Sequence, residues 1–316
     1  MIFKLKQNIL FSKFFKKTNI FSIIVMILSI FILFFKGLNL GVDFKGGTLI
    51  EIRTENTSIN IGDIRQSFLK MNLGDVNVKK FGNENDYLVK IELDNKQDEQ
   101  FIQNINDILS KDLGTTINFR RVENVGPKVS NELLKAGLLA ISLSLAAMLF
   151  YIWIRFEWQF SLGAIVAIIH DVLITMGIFS FLSYEINLSI VAAVLTIVGY
   201  SMNDTVVIFD RIRENLKKYS KISISDISNT SINETLSRTI ITSVTTLLAL
   251  FSIYIFGGSI LKGFSFAMII GVIIGTYSSI FVATPILNYT KVSQKTILKD
   301  EDEKNLSANT ISIKIL

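Results

Sequence analysis

The stretch VGYSMNDTVVIFDR at 198–211 sets a carboxylate, Asp204, inside an apolar run. An Asp at the centre of a membrane helix costs about 2.5–3.5 kcal/mol on insertion scales, so such a residue faces a bundle interior and serves ion or proton movement. Tyr200 and Ser201, four and three residues earlier, share its helical side, and Asn203 lies beside it. A cation, Arg238, opens the next apolar block, followed at helical spacing by Thr242, Thr245, Thr246 and Ala249. The two blocks run in opposite directions, so Asp204 and Arg238 fall at similar depths and a pairing is geometrically reasonable. A static ion pair, or an arginine reaching for the headgroups, is the competing reading. In a third block stand His170 and Asp171. Imidazole can take protons near neutral pH, though a His beside an Asp is more often a hydrogen-bonded structural group. A protonatable Asp, an Arg and a polar stripe suit a proton relay. Each charge crossing the membrane is worth about 2.3 kcal/mol per 100 mV.

The elements that must position these groups are membrane helices. Half of the 316 residues are hydrophobic, and the mean hydropathy is +0.47. A helix needs about 20 apolar residues to span a bilayer. Six blocks qualify: 19–36, 136–154, 160–182, 187–209, 238–256 and 264–287. With no cysteine and one histidine, neither a disulfide nor a Cys- or His-rich metal site is expected. No metal and no bound cofactor are expected; the transported species is H⁺, with Na⁺ as the alternative. No nucleophile–base set appears at useful spacing, so no enzyme is expected. The net charge of +5 reads as membrane topology rather than nucleic-acid binding.

Lysines and arginines gather at 1–18, at 211–221 and in the tail at 291–316, whereas SYEIN (183–187) has none and GGSILKG (257–263) only Lys262. The positive-inside rule then puts both termini in the cytoplasm and 37–134 outside, with the first block as a retained anchor. That segment holds 12 Lys+Arg against 15 Asp+Glu, a net −3 within a chain of +5.

Residues 37–134 read as a soluble domain. TLIEIR (48–53) alternates as a strand, 59–71 has helical spacing, VNVKKF (76–81) and YLVKIEL (87–93) flank the loop GNEND, 98–114 is an amphipathic helix, and TTINFRRV (115–122) is a last strand. The order β-α-β-β-α-β is ferredoxin-like. The expected fold class is a polytopic α-helical membrane protein with one extracytoplasmic α+β domain between helices one and two. GVDFKGG (41–47), with Gly41, Asp43, Gly46 and Gly47, lacks the spacing and Lys-Ser/Thr of a phosphate loop and reads as a tight glycine turn into the first strand. Gly126-Pro127 marks the start of the second membrane helix. In the last block Gly263, Ala267, Gly271, Gly275, Ser279 and Ala283 recur every four residues, a ridge that lets another helix approach closely, within the chain or in a partner.

VGYSMNDTVVIFDRIREN resembles the signature of the SecF family, accessory membrane subunits of the bacterial Sec translocase. GVDFKGGTLIEI (41–52), VENVGPKVSNEL (122–133), the Ile169-His170-Asp171 triplet and ETLSRTIITSVTT (234–246) resemble that family's motifs in the same order. The resemblance covers roughly 19–290. It implies half of a resistance-nodulation-division-type membrane unit, partnership with SecD, association with SecYEG and YajC, and unfolded preproteins as substrates. It also implies an inner-membrane location and use of the proton gradient in late export. The functional charges it implies are Asp204 and Arg238. The mechanism expected here has Asp204 alternately ionised against Arg238 and protonated, with Asp171 and His170 tuning the relay. Two other readings stay open: an ion-coupled exporter of small molecules or lipids, and a non-conducting scaffold.

Overall fold

The computed structural model describes residues 8–55, 59–80, 85–92, 99–219 and 222–297. The expected loop GNEND and the acidic tail beyond 297 fall largely outside them. A 3₁₀ turn at Phe11–Lys13 leads into α1 (Phe15–Lys36), β1 (Asn39–Leu40), α2 (Val42–Lys45), β2 (Gly47–Thr54), α3 (Ile61–Lys70), β3 (Asp75–Lys80), β4 (Asp86–Glu92), α4 (Glu99–Leu113) and β5 (Ile117–Val125). Then come α5 (Pro127–Arg155), α6 (Trp158–Leu182), β6 (Glu185–Ile186), α7 (Leu188–Lys218), α8 (Ile224–Phe256), α9 (Gly258–Ser278), a π-helical turn at Ser279–Ala283, and α10 (Thr284–Tyr289).

Among the described residues six helical segments are long and apolar enough to cross a membrane: Phe15–Lys36, Pro127–Arg155, Trp158–Leu182, Leu188–Lys218, Ile224–Phe256 and Leu261–Tyr289. They form an inner and an outer set. In α6, α7 and α9–α10 half or more of the most apolar window is buried, against 11% in α1, 11% in α5 and 17% in α8. The outer helices expose Phe34, Trp153 and Phe256, which suits contact with lipid tails. The fifth helix begins at Ile224, ahead of its apolar span at 238–256: Ser223 caps it, its hydroxyl accepting from Asp226 N at 3.2 Å. The small-residue ridge of α9 seats α7: a methyl group added at Gly271 would meet the side chain of Ile197, and one at Gly275 would lie 2.9 Å from Cβ of Ser201. Small residues here let two backbones approach, and van der Waals packing then holds them.

The helical start of α3 is secured by reciprocal capping. The Asn60 side chain accepts from Gly62 N at 2.7 Å and Asp63 N at 3.1 Å, while Asp63 accepts from Asn60 N at 3.0 Å. The sheet runs β3-β4-β2-β5, all antiparallel. With α3 and α4 on one face this is the ferredoxin-like arrangement. Ile50, Ile52, Ile64, Phe68, Val89, Ile91 and Leu109 fill the space between sheet and helices.

Residues 41–47 are more than a turn. Val42–Lys45 form one helical turn, preceded by a strand pair in which Asn39 and Leu40 run parallel to Glu185 and Ile186. Gly46 and Gly47 have φ of +80° and +110°, a region that disfavours side chains. A Cβ at Gly41 would stand 2.8 Å from Oε1 of Glu185. Asp43 Oδ2 accepts from Leu188 N at 2.8 Å, so the motif caps α7 from outside that helix. Pro127 is the first residue of α5, with Gly126 as its N-cap.

Candidate functional site

The polar knot at the middle of the bundle is built from the three inner helices. On α6, His170 and Asp171 are each 1% exposed, and Nδ1 of His170 lies 2.8 Å from Oδ1 of Asp171. Oδ2 of Asp171 accepts from two hydroxyls, Ser201 of α7 at 2.5 Å and Ser278 of α9 at 2.8 Å. One carboxylate thus ties three helices together at mid-depth. The His170 ring stacks at 6.1 Å on Tyr277, whose hydroxyl donates to the Thr18 carbonyl of α1 at 3.0 Å.

One turn further along α7 the polar run continues. Thr205 and Ser279 hydroxyls meet at 2.9 Å, and both approach the Ser201 carbonyl, at 3.2 and 3.3 Å. Ser279 opens the π-helical turn. Pro285 has no N–H to donate, so the regular ladder cannot continue through it. The wider turn absorbs the mismatch, and the Thr284 hydroxyl donates to the Ser279 carbonyl at 2.9 Å.

Asp204 adjoins this run and is 3% exposed. Its Oδ2 has no hydrogen-bond partner, and neither has Nε2 of His170. The two buried carboxylates therefore differ. Both oxygens of Asp171 are engaged, whereas Asp204 keeps an unengaged acceptor inside the bundle. Buried polar groups are overwhelmingly paired, so an unpaired one asks for an explanation in function.

The pairing of Asp204 with Arg238 is not a direct one: the two do not come within 4 Å as an ion pair, and Arg238 is exposed. Arg238 lies on an exposed flank of α8, whereas Asp204 is turned into the bundle. The threonine stripe is also turned inward on itself. Thr242 donates to the Arg238 and Thr239 carbonyls at 3.1 and 3.0 Å, and Thr245 to those of Ile241 and Thr242. Only at Thr246 does the stripe meet α7, through the Tyr200 hydroxyl at 3.3 Å. Asn203 is exposed and stands apart from the polar core. Ser278 and Thr205 were missed by sequence reasoning and Ser279 was taken for packing alone. The signal was Pro285, nearly two turns after a serine pair.

Among the described residues no cluster of three His, Asp or Glu groups is placed to hold a metal ion. The arrangement links three helices through one carboxylate and leaves a second buried carboxylate oxygen unpaired beside that link.

Comparison with known proteins places these features in company. The family described as protein export membrane protein SecD/SecF, C-terminal, matches residues 105–293, and the SecD/SecF GG motif matches 31–58. The chain is 44% identical over 280 residues to the protein translocase subunit SecF of Rickettsia bellii, covering 88% of this chain and 91% of that one. It is 42% identical over 304 residues to that of Vibrio alginolyticus, covering 96% of each. The crystal structure of SecDF, a translocon-associated membrane protein from Thermus thermophilus, superposes with a TM-score of 0.83 at 31% identity, over 92% of this chain and 40% of that longer chain. A super-membrane-facing form of SecDF gives 0.66 at 30% identity, over 98% of this chain and 41% of the other.

Proposed function

Because the chain belongs to the SecD/SecF family of protein export membrane proteins, we propose that it is the SecF subunit of a bacterial Sec preprotein translocase. It acts with SecD, beside SecYEG and YajC, in the inner membrane. Both termini are cytoplasmic and residues 37–134 are periplasmic. Proton-motive force drives its part in late, ATP-independent export of unfolded preproteins. The observation that carries the coupling is the buried, unengaged Oδ2 of Asp204 one turn from the Asp171 knot. Protonation there removes a charge from a low-dielectric interior and changes which hydroxyls of α7 and the π turn compete for partners. Helices α7 and α9 are the bistable element, and the periplasmic domain moves with the bundle. Arg238, on the outward flank of α8, acts through space or on a partner helix rather than by contact.

The test is preprotein export into inverted vesicles with Asp204→Asn, association with SecD being measured in parallel. Lost stimulation by a proton gradient, with SecD still bound, supports the relay. Imposed Na⁺ and H⁺ gradients, applied separately, identify the ion. Undiminished gradient-dependent export would leave the chain as a scaffold.

A further inference from the structure

Two cavities meet where the outer domain rests on the bundle. One, of about 320 Å³, lies among Lys36, Lys45, Lys79, Asn39, Ser180 and Ser183. The other, of about 230 Å³, shares Asn39, Lys45 and Lys79 and adds Lys90 and Glu185. Four lysines from four elements, the end of α1, α2, β3 and β4, thus converge on one place with a single carboxylate among them. Lys36 is drawn to the end of α6, donating to the Phe181 carbonyl at 2.6 Å, and Lys90 donates to the Leu40 carbonyl at 3.3 Å. Lys45 and Lys79 are exposed and have no ion-pair partner within 4 Å among the described residues. The level is that of the helix ends, where a bilayer carries its headgroups.

Beta strand β1 divides this basic hollow from an apolar one. On its other side a cleft of about 180 Å³ is lined by Leu38, Leu40, Gly137, Met176, Val191 and neighbouring apolar side chains. Leu38 borders both spaces. The cleft runs down between α5, α6 and α7, at the depth of acyl chains. Basic pockets between membrane helices are suited to anionic headgroups, and each lysine near the surface contributes attraction for them.

We propose that this junction binds an anionic phospholipid of the leaflet on the domain's side. Its phosphate lies among Lys36, Lys45, Lys79 and Lys90, and an acyl chain lies in the cleft beneath Leu38. Bound there, the lipid touches both β3–β4 of the outer domain and the membrane helices, so it ties the resting position of one to the other. The proposal is independent of proton coupling.

The experiment uses the full chain purified in detergent, with and without its membrane partner. Thermal protection and native mass spectrometry are read with phosphatidylglycerol, phosphatidylcholine, inorganic phosphate and glycerophosphoglycerol. Phosphatidylglycerol is expected to be retained and to protect. In K45Q/K79Q its apparent affinity falls by about tenfold or more, and in K45R/K79R it returns. Equal retention of phosphatidylcholine, or unchanged binding by K45Q/K79Q, overturns the proposal. Protection by inorganic phosphate or glycerophosphoglycerol as strong as by the lipid reassigns the hollow to a free anion. Loss of the lipid when the partner binds reassigns the cleft to a partner helix. Both lysines are exposed, so a folded K45Q/K79Q is expected, and the lipid comparison on the unaltered chain stands without it.

Discussion

Ser278 donates its hydroxyl to Oδ2 of Asp171 across 2.8 Å, joining α9 to α6 at a point where Ser201 of α7 arrives on the same oxygen. Interhelical hydrogen bonds in membranes average about 0.6 kcal/mol and reach about 1.7. Ser278→Ala is therefore expected to cost about that much in unfolding from detergent. Asp171→Ala should cost more than either serine substitution, since it strands His170 and both hydroxyls together. Equal stability of the three variants would show the knot to be incidental.

Gly271 is placed where α9 crosses α7, with the Ile197 side chain occupying the space a Cβ would need. Gly271→Val should lower stability by about 1–3 kcal/mol through overpacking. Gly199→Ala, a position with no atom within 4 Å of the added methyl, serves as the control and should be near neutral. The comparison is made by thermal melting in one detergent.

The outer domain carries a pH dependence of definite sign. The Lys70 ammonium and the Ser67 hydroxyl hold the Asp112 carboxyl below the usual carboxylate range, linking α3 to α4. An unfolded Asp titrates near about 3.9. The stabilisation is thus fully present above that pH and is lost as pH falls through the lower folded value. The carboxylate is solvent-facing, so the effect is small. Amide exchange in 61–70 and 99–113 should quicken on acidification below about pH 4, and Asp112→Asn should remove the part of that response due to this group. An identical pH response in the variant would assign it elsewhere.

Two asparagines of α8 hold the N-terminal segment as a neighbouring strand would. Asn233 accepts from Ile9 N at 3.0 Å and donates to the Ile9 carbonyl at 2.8 Å, and Asn229 accepts from Ser12 N at 2.8 Å. Replacing both by alanine removes bonds worth about 0.5–1.5 kcal/mol each. Protease cleavage near residues 9–14 should accelerate while melting of the bundle changes little. Unaltered cleavage would mean that Phe11 and Phe15, both buried, suffice to hold the segment.

Membrane helices and the outer domain were legible because each obeys a single periodicity. Apolar runs announced the six spans, and alternation with helical spacing gave the strand and helix order of the domain. The polar core was legible only in part. Asp171, His170 and Ser201 stood out by charge or by distance from Asp204, but Ser278 and Ser279 match the small residues that packing alone demands. Sequence spacing does not say which side of a ridge carries a hydroxyl inward. Arg238 marks the start of the apolar span, but the helical turns before it carry no apolar run, and α8 begins at Ile224 under a serine cap. The pairing of β1 with β6 joins residues far apart in the chain through two-residue strands, too short for any pattern.

Between β5 and α5 stands one residue, Gly126. The last strand of the sheet passes almost without slack into a 29-residue helix that reaches across the membrane. Any swivel of that helix about its long axis would reach the sheet as torque, as a crankshaft drives its arm. Lengthening this joint with flexible residues would leave both halves intact and confine their coupling to the contacts of residues 39–45 with the bundle.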